Sequence, residues 1–333
     1  MRTGFTTGYC AAAAAKAATA DLLSSGLPMA EHFIQKDAGD DPDITHGVQV
    51  FATVSKTNTG CIDIDGGEGV GRVTKPGLKV AVGNAAINPV PMDMIRSAVE
   101  EVCTAFNYTQ GIKVVISIPG GEEIAKKTMN PRLGIIGGLS VLGTTGIVEP
   151  MSNKAIVETI QTEIDVQMAC GETKLLITPG NYGRDFAEKQ LGIDIQKAIK
   201  CSNFIGETLD YAHAKGVKNI TLIGHAGKLV KLAGGIMNTH SSIADCRMEI
   251  IAAHCALCSV QSADITQIME CITTEAAIDL MNQLGVNQKV WESIGNKIGF
   301  HLTQRTRGDI TIEYIVFTQE HGVLVHSKGG CNI

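Results

Sequence analysis

KLLITPGNYG (residues 174–183) and NITLIGHAGK (residues 219–228) are the two stretches that decide the fold of the second half of this chain. In each stretch an apolar, strand-like run is followed by a glycine-containing loop. Helix-like segments follow the first loop at 184–191 and precede the second strand at 206–215. Alternating strands and helices predict a parallel sheet, so we expect a Rossmann-like α/β domain over residues 151–333.

The first half of the chain has a different pattern, with strands that outnumber helices. Thr7 is expected to cap an alanine-rich helix that begins near Tyr9, and a second helix is predicted at 91–106. The strand-like runs lie at residues 33–36, 48–56, 61–64 and 113–118. This order predicts an α+β domain over residues 1–150 with mostly antiparallel strands. A last hairpin is predicted at 310–327. The sequence does not specify which of the two sheets it joins.

Composition excludes several classes of protein. The 333 residues carry 28 Lys and Arg against 34 Asp and Glu, a net charge of −6, so neither nucleic acid nor a membrane surface is an expected partner. Ten cysteines are scattered without a dense framework, which indicates reduced thiols and a cytoplasmic protein. We also expect no membrane-spanning segment.

The two glycine loops are the predicted cofactor site. Ligands of open parallel sheets bind beyond the carboxyl ends of the strands, where glycine lets the backbone approach a nucleotide-like group. An ordinary strand-to-helix turn is the alternative for the first loop. The second loop lacks the hydroxyl residue that follows the lysine of a phosphate-binding P-loop. The predicted cofactor-binding residues are Thr178, Pro179, Gly180, Asn181, Tyr182, Gly183, Gly224, His225, Ala226, Gly227 and Lys228.

An acidic segment, KDAGDDPDITHG at 36–47, is a candidate substrate contact through Asp37, Asp40 and Asp41. The alternative is a solvated turn whose carboxylates cap their own backbone. Gly39 stands where a calcium loop needs a ligand, and the CxxC at 255–258 has no second pair, so no resident metal is expected.

Donor-rich loops form a second set of substrate candidates. Thr6, Thr7 and Gly8 open the alanine helix, and Thr144 with Thr145 lies in a glycine-rich segment. Their hydroxyls and amides suit carboxylate groups, whereas buried packing turns would need the same residue types. A glycine-dense hairpin expected at 65–77 would bring Glu68 near Lys75, as an exposed ion pair or as an acid and a cation that face a ligand.

Seven long strings lie in order along residues 4–245. They are GFTTGYCAAAAAKAA (4–18), KDAGDDPDITHG (36–47), DGGEGVGRVTKPGL (65–78), INPVPMDMI (87–95), GGLSVLGTTGIVEPMS (137–152), TPGNYG (178–183) and GHAGKLVKLAGGIMNTHS (224–241). Together they closely resemble the CbiD family of cobalt-precorrin-5B C(1)-methyltransferases in anaerobic cobalamin biosynthesis. Tyr9 and Met92 depart from the pattern expected of that family, which puts the fit of the substrate side chains in doubt but not the class of reaction.

The resemblance implies transfer of a methyl group from S-adenosylmethionine to C-1 of a ring-contracted cobalt tetrapyrrole, which yields cobalt-precorrin-6A. Cobalt would then belong only to the substrate. The glycine crevice would hold the methyl donor, and the first domain would hold the tetrapyrrole. His46, Glu68, Glu149 and His240 are unranked candidates for a base that removes a ring proton. The sequence leaves the oligomeric state open, and a homodimer is compatible with it.

Two other functions compete with this one. A nucleotide- or phosphate-binding enzyme would use Gly224 to Lys228 and would require Mg²⁺ with ATP. A non-enzymatic corrinoid or cobalt carrier would use the acidic segment and the cysteines.

Overall fold

The computed structural model describes residues 1–327, apart from the side chains of Tyr182, Arg184 and Leu191. The chain divides into two compact units, called here the N-terminal unit (Met1–Asn153) and the C-terminal unit (Lys154–Ile333). None of the helices within residues 1–327 combines the length and apolar character that a bilayer crossing requires.

The N-terminal unit is built on a four-stranded sheet of order β2-β3-β6-β4. Strand β3 is antiparallel to β2 and β6, and β4 is parallel to β6, so the prediction of mostly antiparallel strands is confirmed. The elements of this unit are β1 (Gly4–Phe5), α1 (Thr7–Ser25), β2 (Met29–Gln35), β3 (Gln49–Thr57), β4 (Ile62–Gly66), β5 (Arg72–Val73), α2 (Pro89–Ala105), β6 (Gly111–Ser117), α3 (Gly121–Ala125), α4 (Asn130–Leu133), β7 (Ile135–Ile136) and β8 (Ile147–Val148).

Helices α1 and α2 supply one side of the N-terminal core. The small side chains of Ala11, Ala14, Ala15 and Ala18 are fully buried, and they pack with Ile95 of α2 and with the apolar face of the sheet. Helix α1 begins two residues before the expected Tyr9, because Thr6 rather than Thr7 is the cap and its Oγ1 accepts the N–H of Tyr9 at 3.2 Å.

The glycine-dense segment at 65–77 is not a hairpin, which corrects the expectation. Strand β5 pairs with the distant strand β7, and Lys75 donates its ammonium to the carbonyl of Arg132 at 3.2 Å. The turn at Gly69 has φ of +70°, and a Cβ there would lie 1.8 Å from the carbonyl oxygen of Ile118. The segment is therefore held against other parts of the unit, which a local pattern does not reveal.

The C-terminal unit contains a five-stranded sheet of order β10-β9-β11-β12-β13. The first four strands are parallel, as predicted, and β13 is antiparallel to β12, so the final hairpin joins this sheet. The elements of this unit are α5 (Asn153–Ala169), β9 (Lys174–Thr178), α6 (Asn181–Leu191), β10 (Ile199–Lys200), α7 (Ile205–Ala214), β11 (Asn219–His225), α8 (Ala226–Leu229), a 3₁₀ helix (Val230–Gly234), α9 (Arg247–Leu257), α10 (Ser262–Met269), α11 (Thr274–Gln283), α12 (Asn287–Arg305), β12 (Thr311–Thr318) and β13 (Gly322–His326).

Both faces of this sheet are covered, as an apolar parallel sheet requires. Ile220 and Leu222 of β11 belong to the large core that includes helices α5, α7, α9 and α12. The alternate residue Ile223 packs on the opposite face with Phe186 of α6 and Phe317 of β12. The unique tryptophan, Trp291, is fully buried in the large core.

Candidate functional site

The two predicted glycine loops meet at one edge of the C-terminal sheet. Strands β9 and β11 are parallel neighbours, with Ile177 opposite Leu222, so both chains leave the sheet on the same side. Strand β10 lies beyond β9 and β12 lies beyond β11, so the sheet grows outward in opposite directions from this pair. Such a reversal of strand order is where open α/β sheets form their ligand crevices. The region beyond these two strand ends is called here the β9–β11 crevice.

The predicted loop residues are divided among regular elements. Asn181, Tyr182 and Gly183 form the first turn of α6, whereas Ala226, Gly227 and Lys228 belong to α8. A Cβ on Gly183 would lie 2.7 Å from the carbonyl oxygen of Ile223, so the first turn of α6 packs directly on β11. Gly180 is the cap of α6, in extended conformation, and a Cβ there would meet no atom within 4 Å. The space beside Gly180 is therefore open to a ligand.

Lys228 connects three segments of the crevice. Its ammonium donates hydrogen bonds of 2.8 Å to the carbonyl of Pro179 and to Oδ1 of Asn203. Asn203 Oδ1 also accepts a bond from the Thr239 hydroxyl at 3.2 Å. Burial lowers the pKa of Lys228. Because the ammonium is bound to protein acceptors, its role in this geometry is to hold the two loops together.

Helix α11 also reaches the crevice, through its first turn. His225 Nδ1 accepts the N–H of Gly227 at 3.2 Å, so the neutral ring carries its proton on Nε2, which lies 3.0 Å from Oε1 of Glu275. Burial lowers the pKa of His225 and the Glu275 carboxylate opposes that shift. A Cβ on Gly227 would lie 3.5 Å from Oγ1 of Thr274. Thr274 and Glu275 thus line the loop at 224–228, although they lie about 50 positions further along the chain.

Two buried hydroxyls at this crevice have no hydrogen-bond partner within the described part of the chain. They belong to Thr178, at the end of β9, and Thr274, at the start of α11, which are 0% and 1% exposed. A buried polar group without a partner costs about 1–3 kcal/mol. The walls of the crevice therefore contain two polar atoms that the described protein leaves without a partner. Sequence reasoning missed Asn203, Thr274 and Glu275, since nothing local links them to either loop.

In the N-terminal unit, three segments that the sequence singled out meet around β1. Phe5 is opposite Ile147 in the β1–β8 pair, and its N–H donates to the carbonyl of Asp37 at 2.7 Å. The amide of Thr6 donates to the Gly146 carbonyl at 2.9 Å. The amide of Gly8 donates to the Leu142 carbonyl at 3.0 Å. This junction of residues 4–9, 36–47 and 142–148 is called here the β1 junction.

The acidic residues of the β1 junction are engaged with protein donors. Arg2 forms a bidentate ion pair with Asp37 and lowers the pKa of that carboxyl to about 2. Asp40 accepts the backbone N–H of Arg2 at 2.6 Å, and Asp41 accepts the N–H of Met151 at 2.9 Å. These bonds tie the start of the chain and the end of the unit to the acidic loop. Self-capping is present as well, because Asp37 Oδ1 accepts the N–H of Gly39 at 2.9 Å.

The threonines of the junction are also largely engaged. Thr6 caps α1, and Thr7 Oγ1 accepts the N–H of Leu142 at 2.9 Å. The Thr145 hydroxyl lies 3.2 Å from the carbonyl of Ile147. Thr144 is exposed. The hydroxyls of Thr6, Thr7 and Thr145 therefore bond within the junction, whereas Thr144 belongs to its exposed surface.

The four candidate bases occupy different places. His46 lies at the β1 junction, where its Nδ1 accepts the N–H of Ala38 at 3.1 Å. Glu149 is exposed just after β8, and Glu68 is exposed between β4 and β5. His240, in the C-terminal unit, follows Thr239 of the Lys228 network, and its Nδ1 accepts the N–H of Ser242 at 3.1 Å.

Family models match segments in both units of the chain. A family model described as CbiD matches residues 24–150, and one described as CbiD, C-terminal domain, matches residues 238–328. A relative from Ruminiclostridium cellulolyticum, named cobalt-precorrin-5B C(1)-methyltransferase, is 48% identical across 100% of this chain and 94% of its own length. A relative of the same name from Methanocaldococcus jannaschii is 45% identical across 89% of this chain and 81% of its own length.

A crystal structure of the cobalamin biosynthesis protein CbiD from Archaeoglobus fulgidus is 27% identical to this chain, over 70% of this chain and 80% of that one, with a TM-score of 0.37. The two family models together match more than half of the chain. The first relative is similar over the full length. The chain therefore belongs to the CbiD family.

Proposed function

We propose that this chain is the methyltransferase that converts cobalt-precorrin-5B into cobalt-precorrin-6A by methylation of C-1, with S-adenosylmethionine as the donor. Membership of the CbiD family and the names of the relatives support the reaction. The cobalt ion enters as part of the substrate. The free cysteines support a cytoplasmic setting, and a homodimer stays a prediction.

The β9–β11 crevice is our proposed site for the methyl donor, on a C-terminal unit that we interpret as Rossmann-like. The observation that carries this assignment is the pair of unpartnered buried hydroxyls, Thr178 and Thr274, at a reversal of strand order. Open space beside Gly180 leaves the backbone accessible. The Glu275 carboxylate suits the ammonium or the ribose hydroxyls of such a donor.

The β1 junction is our proposed site for the tetrapyrrole, within residues 1–150. His46 and His240 each use Nδ1 to accept a backbone N–H, so their neutral rings carry the proton on Nε2. A ring in that tautomer donates a hydrogen bond, for example to a substrate carboxylate, and is poorly suited to take a proton. Glu149 and Glu68 are therefore the better candidates for a base.

The donor supplies an electrophilic methyl group on a positively charged sulfur. The chain's own task is to align the ring carbon with that methyl and to exclude water, so that a C–C bond forms as the S–C bond breaks. Proximity and orientation of this kind can contribute effective molarities of ~10⁵ M or more. The donor leaves as a neutral thioether, and a carboxylate that receives a ring proton completes the charge balance.

The direct test is an anaerobic incubation of the purified chain with methyl-labelled S-adenosylmethionine and cobalt-precorrin-5B, followed by mass spectrometry of the tetrapyrrole. One labelled methyl group at C-1 is the expected product. Stoichiometric corrinoid binding without transfer would favour a carrier. Mg²⁺-dependent binding of ATP would favour a phosphate-binding enzyme, although Lys228 is already bound to Pro179 and Asn203.

A further inference from the structure

An exposed pair of stacked aromatic rings lies at the β1 junction. The ring centroids of Phe5 and Tyr9 are 4.6 Å apart, and the ring planes differ by 16°. The two residues are 44% and 41% exposed. Aromatic residues make up only 4% of the chain, and here two of them leave a large part of their rings in contact with solvent.

The backbone holds both rings in place. Phe5 is paired with Ile147 across β1 and β8, and its amide is bound to Asp37. Tyr9 lies in the first turn of α1, where a Cβ on Gly146 would come within 3.4 Å of Tyr9 Cδ2. Gly146 has φ of +81°, a conformation that favours glycine. Both rings are thus presented on hydrogen-bonded backbone, one on a strand and one on a helix.

The surroundings of the pair match a flat ligand with a polar edge. Leu142 and Ile147, whose backbones pair with Gly8 and Phe5, are each 50% exposed and add apolar surface to the junction. His46, in the same junction, is exposed. Its Nδ1 accepts the N–H of Ala38, so the neutral ring carries its proton on Nε2. Exposed Thr144 adds a hydroxyl. A macrocycle with a conjugated face and peripheral carboxylates is complementary to such a surface. Its face suits the apolar side chains, and its carboxylates accept hydrogen bonds from donors such as His46 and Thr144.

Building on the proposed function, we propose that the solvent-facing side of the Phe5–Tyr9 stack binds the face of the tetrapyrrole substrate. Stacked aromatic systems attract each other beyond the effect of buried area alone, which makes a fixed aromatic face a binding surface for a planar conjugated ring. Phe5 and Tyr9 therefore set the affinity for the macrocycle and not for the methyl donor.

The experiment compares Phe5→Leu and Tyr9→Leu with the intact chain by titration of cobalt-precorrin-5B under anaerobic conditions without donor, followed by the absorption spectrum of the tetrapyrrole. Leucine keeps an apolar side chain and removes the ring face. Loss of one stacked ring should raise the dissociation constant for the tetrapyrrole about tenfold, the upper range expected of an aromatic pair. The dissociation constant for S-adenosylmethionine, measured by calorimetry, should stay unchanged.

Phe33→Leu is the matched control. Phe33 is 47% exposed and contacts Phe51 across β2 and β3, outside the β1 junction, with ring centroids 5.0 Å apart and ring planes tilted by 32°. This variant should bind the tetrapyrrole like the intact chain. Tyr9→Phe, which keeps the ring, should also bind normally, and Tyr9→Met repeats the test if leucine disturbs the helix.

The outcomes separate the two proposals. If the intact chain binds and methylates the tetrapyrrole while Phe5→Leu and Tyr9→Leu bind it with unchanged affinity, the stacking surface is refuted and the proposed function stands. An equal loss in Phe33→Leu would also refute it. If the intact chain neither binds nor methylates the tetrapyrrole, the proposed function fails and the stacking surface fails with it.

Discussion

Lys228→Met tests whether one ammonium group holds the β9–β11 crevice together. The substitution keeps most of the length of the side chain and removes hydrogen bonds to Pro179 and Asn203. A hydrogen bond to a charged group contributes about 1.5–3 kcal/mol. Relief of the cost of burying the ammonium offsets part of that loss, so we expect a destabilisation of about 2–3 kcal/mol.

The fluorescence of Trp291 can measure this loss of stability in the C-terminal unit. Trp291 is the only tryptophan of the chain and it is buried in the core of the C-terminal unit, so its fluorescence reports the unfolding of that unit. For units of this size, about 2–4 °C of Tm corresponds to each kcal/mol, so Lys228→Met should lower Tm by about 4–12 °C. It should also raise the dissociation constant for S-adenosylmethionine about tenfold or more, about 1.4 kcal/mol.

Lys231→Met is the control for a general effect of losing a buried cation. Lys231 is 3% exposed and donates to the carbonyls of Thr239 and Ala244 at 3.2 and 2.8 Å, but it has no bond to either glycine loop in residues 1–327. This variant should lose a similar amount of stability and keep its donor affinity within about twofold. Unchanged donor affinity in Lys228→Met, or an equal loss in both variants, would refute the role of Lys228 as a clamp between the loops.

Three further predictions follow from other contacts. Gly180→Val should leave Tm nearly unchanged, because the backbone is extended and the site of the Cβ is open, yet it should abolish donor binding in calorimetry; normal affinity would place the donor elsewhere. Glu275→Gln should lower the pKa of His225 further, since the carboxylate opposes the effect of burial, and NMR titration of the imidazole should detect the shift; a rise would contradict the pairing. Bonds from Lys174 and His326 lower the pKa of Glu313 to about 2, so its stabilising effect is complete above its usual pKa of 4.5 and is lost as the pH falls through about 2. Acid unfolding followed by Trp291 fluorescence should therefore be less steep in Glu313→Gln, and an unaltered profile would argue against these ion pairs.

Local patterns were sufficient to predict most elements. The apolar runs of β9 and β11 are strands because consecutive side chains enter opposite cores, which a continuous apolar run already indicates. The alanines of α1 predicted its helix, with an error of two residues at the start, because either of two adjacent threonines was able to cap it. The long strings identified the family, since such strings are far more specific than a single glycine loop.

Pairings between distant segments were not predictable in the same way. The sequence at 65–77 has the composition of a hairpin, but β5 pairs with β7, about 60 residues later. The final hairpin joins the parallel sheet through β12, a choice that the alternation within the hairpin does not encode. A strand's own pattern specifies which face is buried, whereas its partner depends on the packing of the whole unit.

The chemistry of the β9–β11 crevice was likewise predictable only in part: the residue types were, and their contacts were not. Glycine and lysine at 224–228 predicted a ligand loop from their type and order, because backbone freedom and charge are properties of single residues. The binding of Lys228 to Pro179 and Asn203, and the contact of His225 with Glu275, depend on segments brought together only when the sheet and α11 are packed. Hydrogen bonds require atoms within about 3 Å, and separation along the chain carries no information about such distances until the fold has formed.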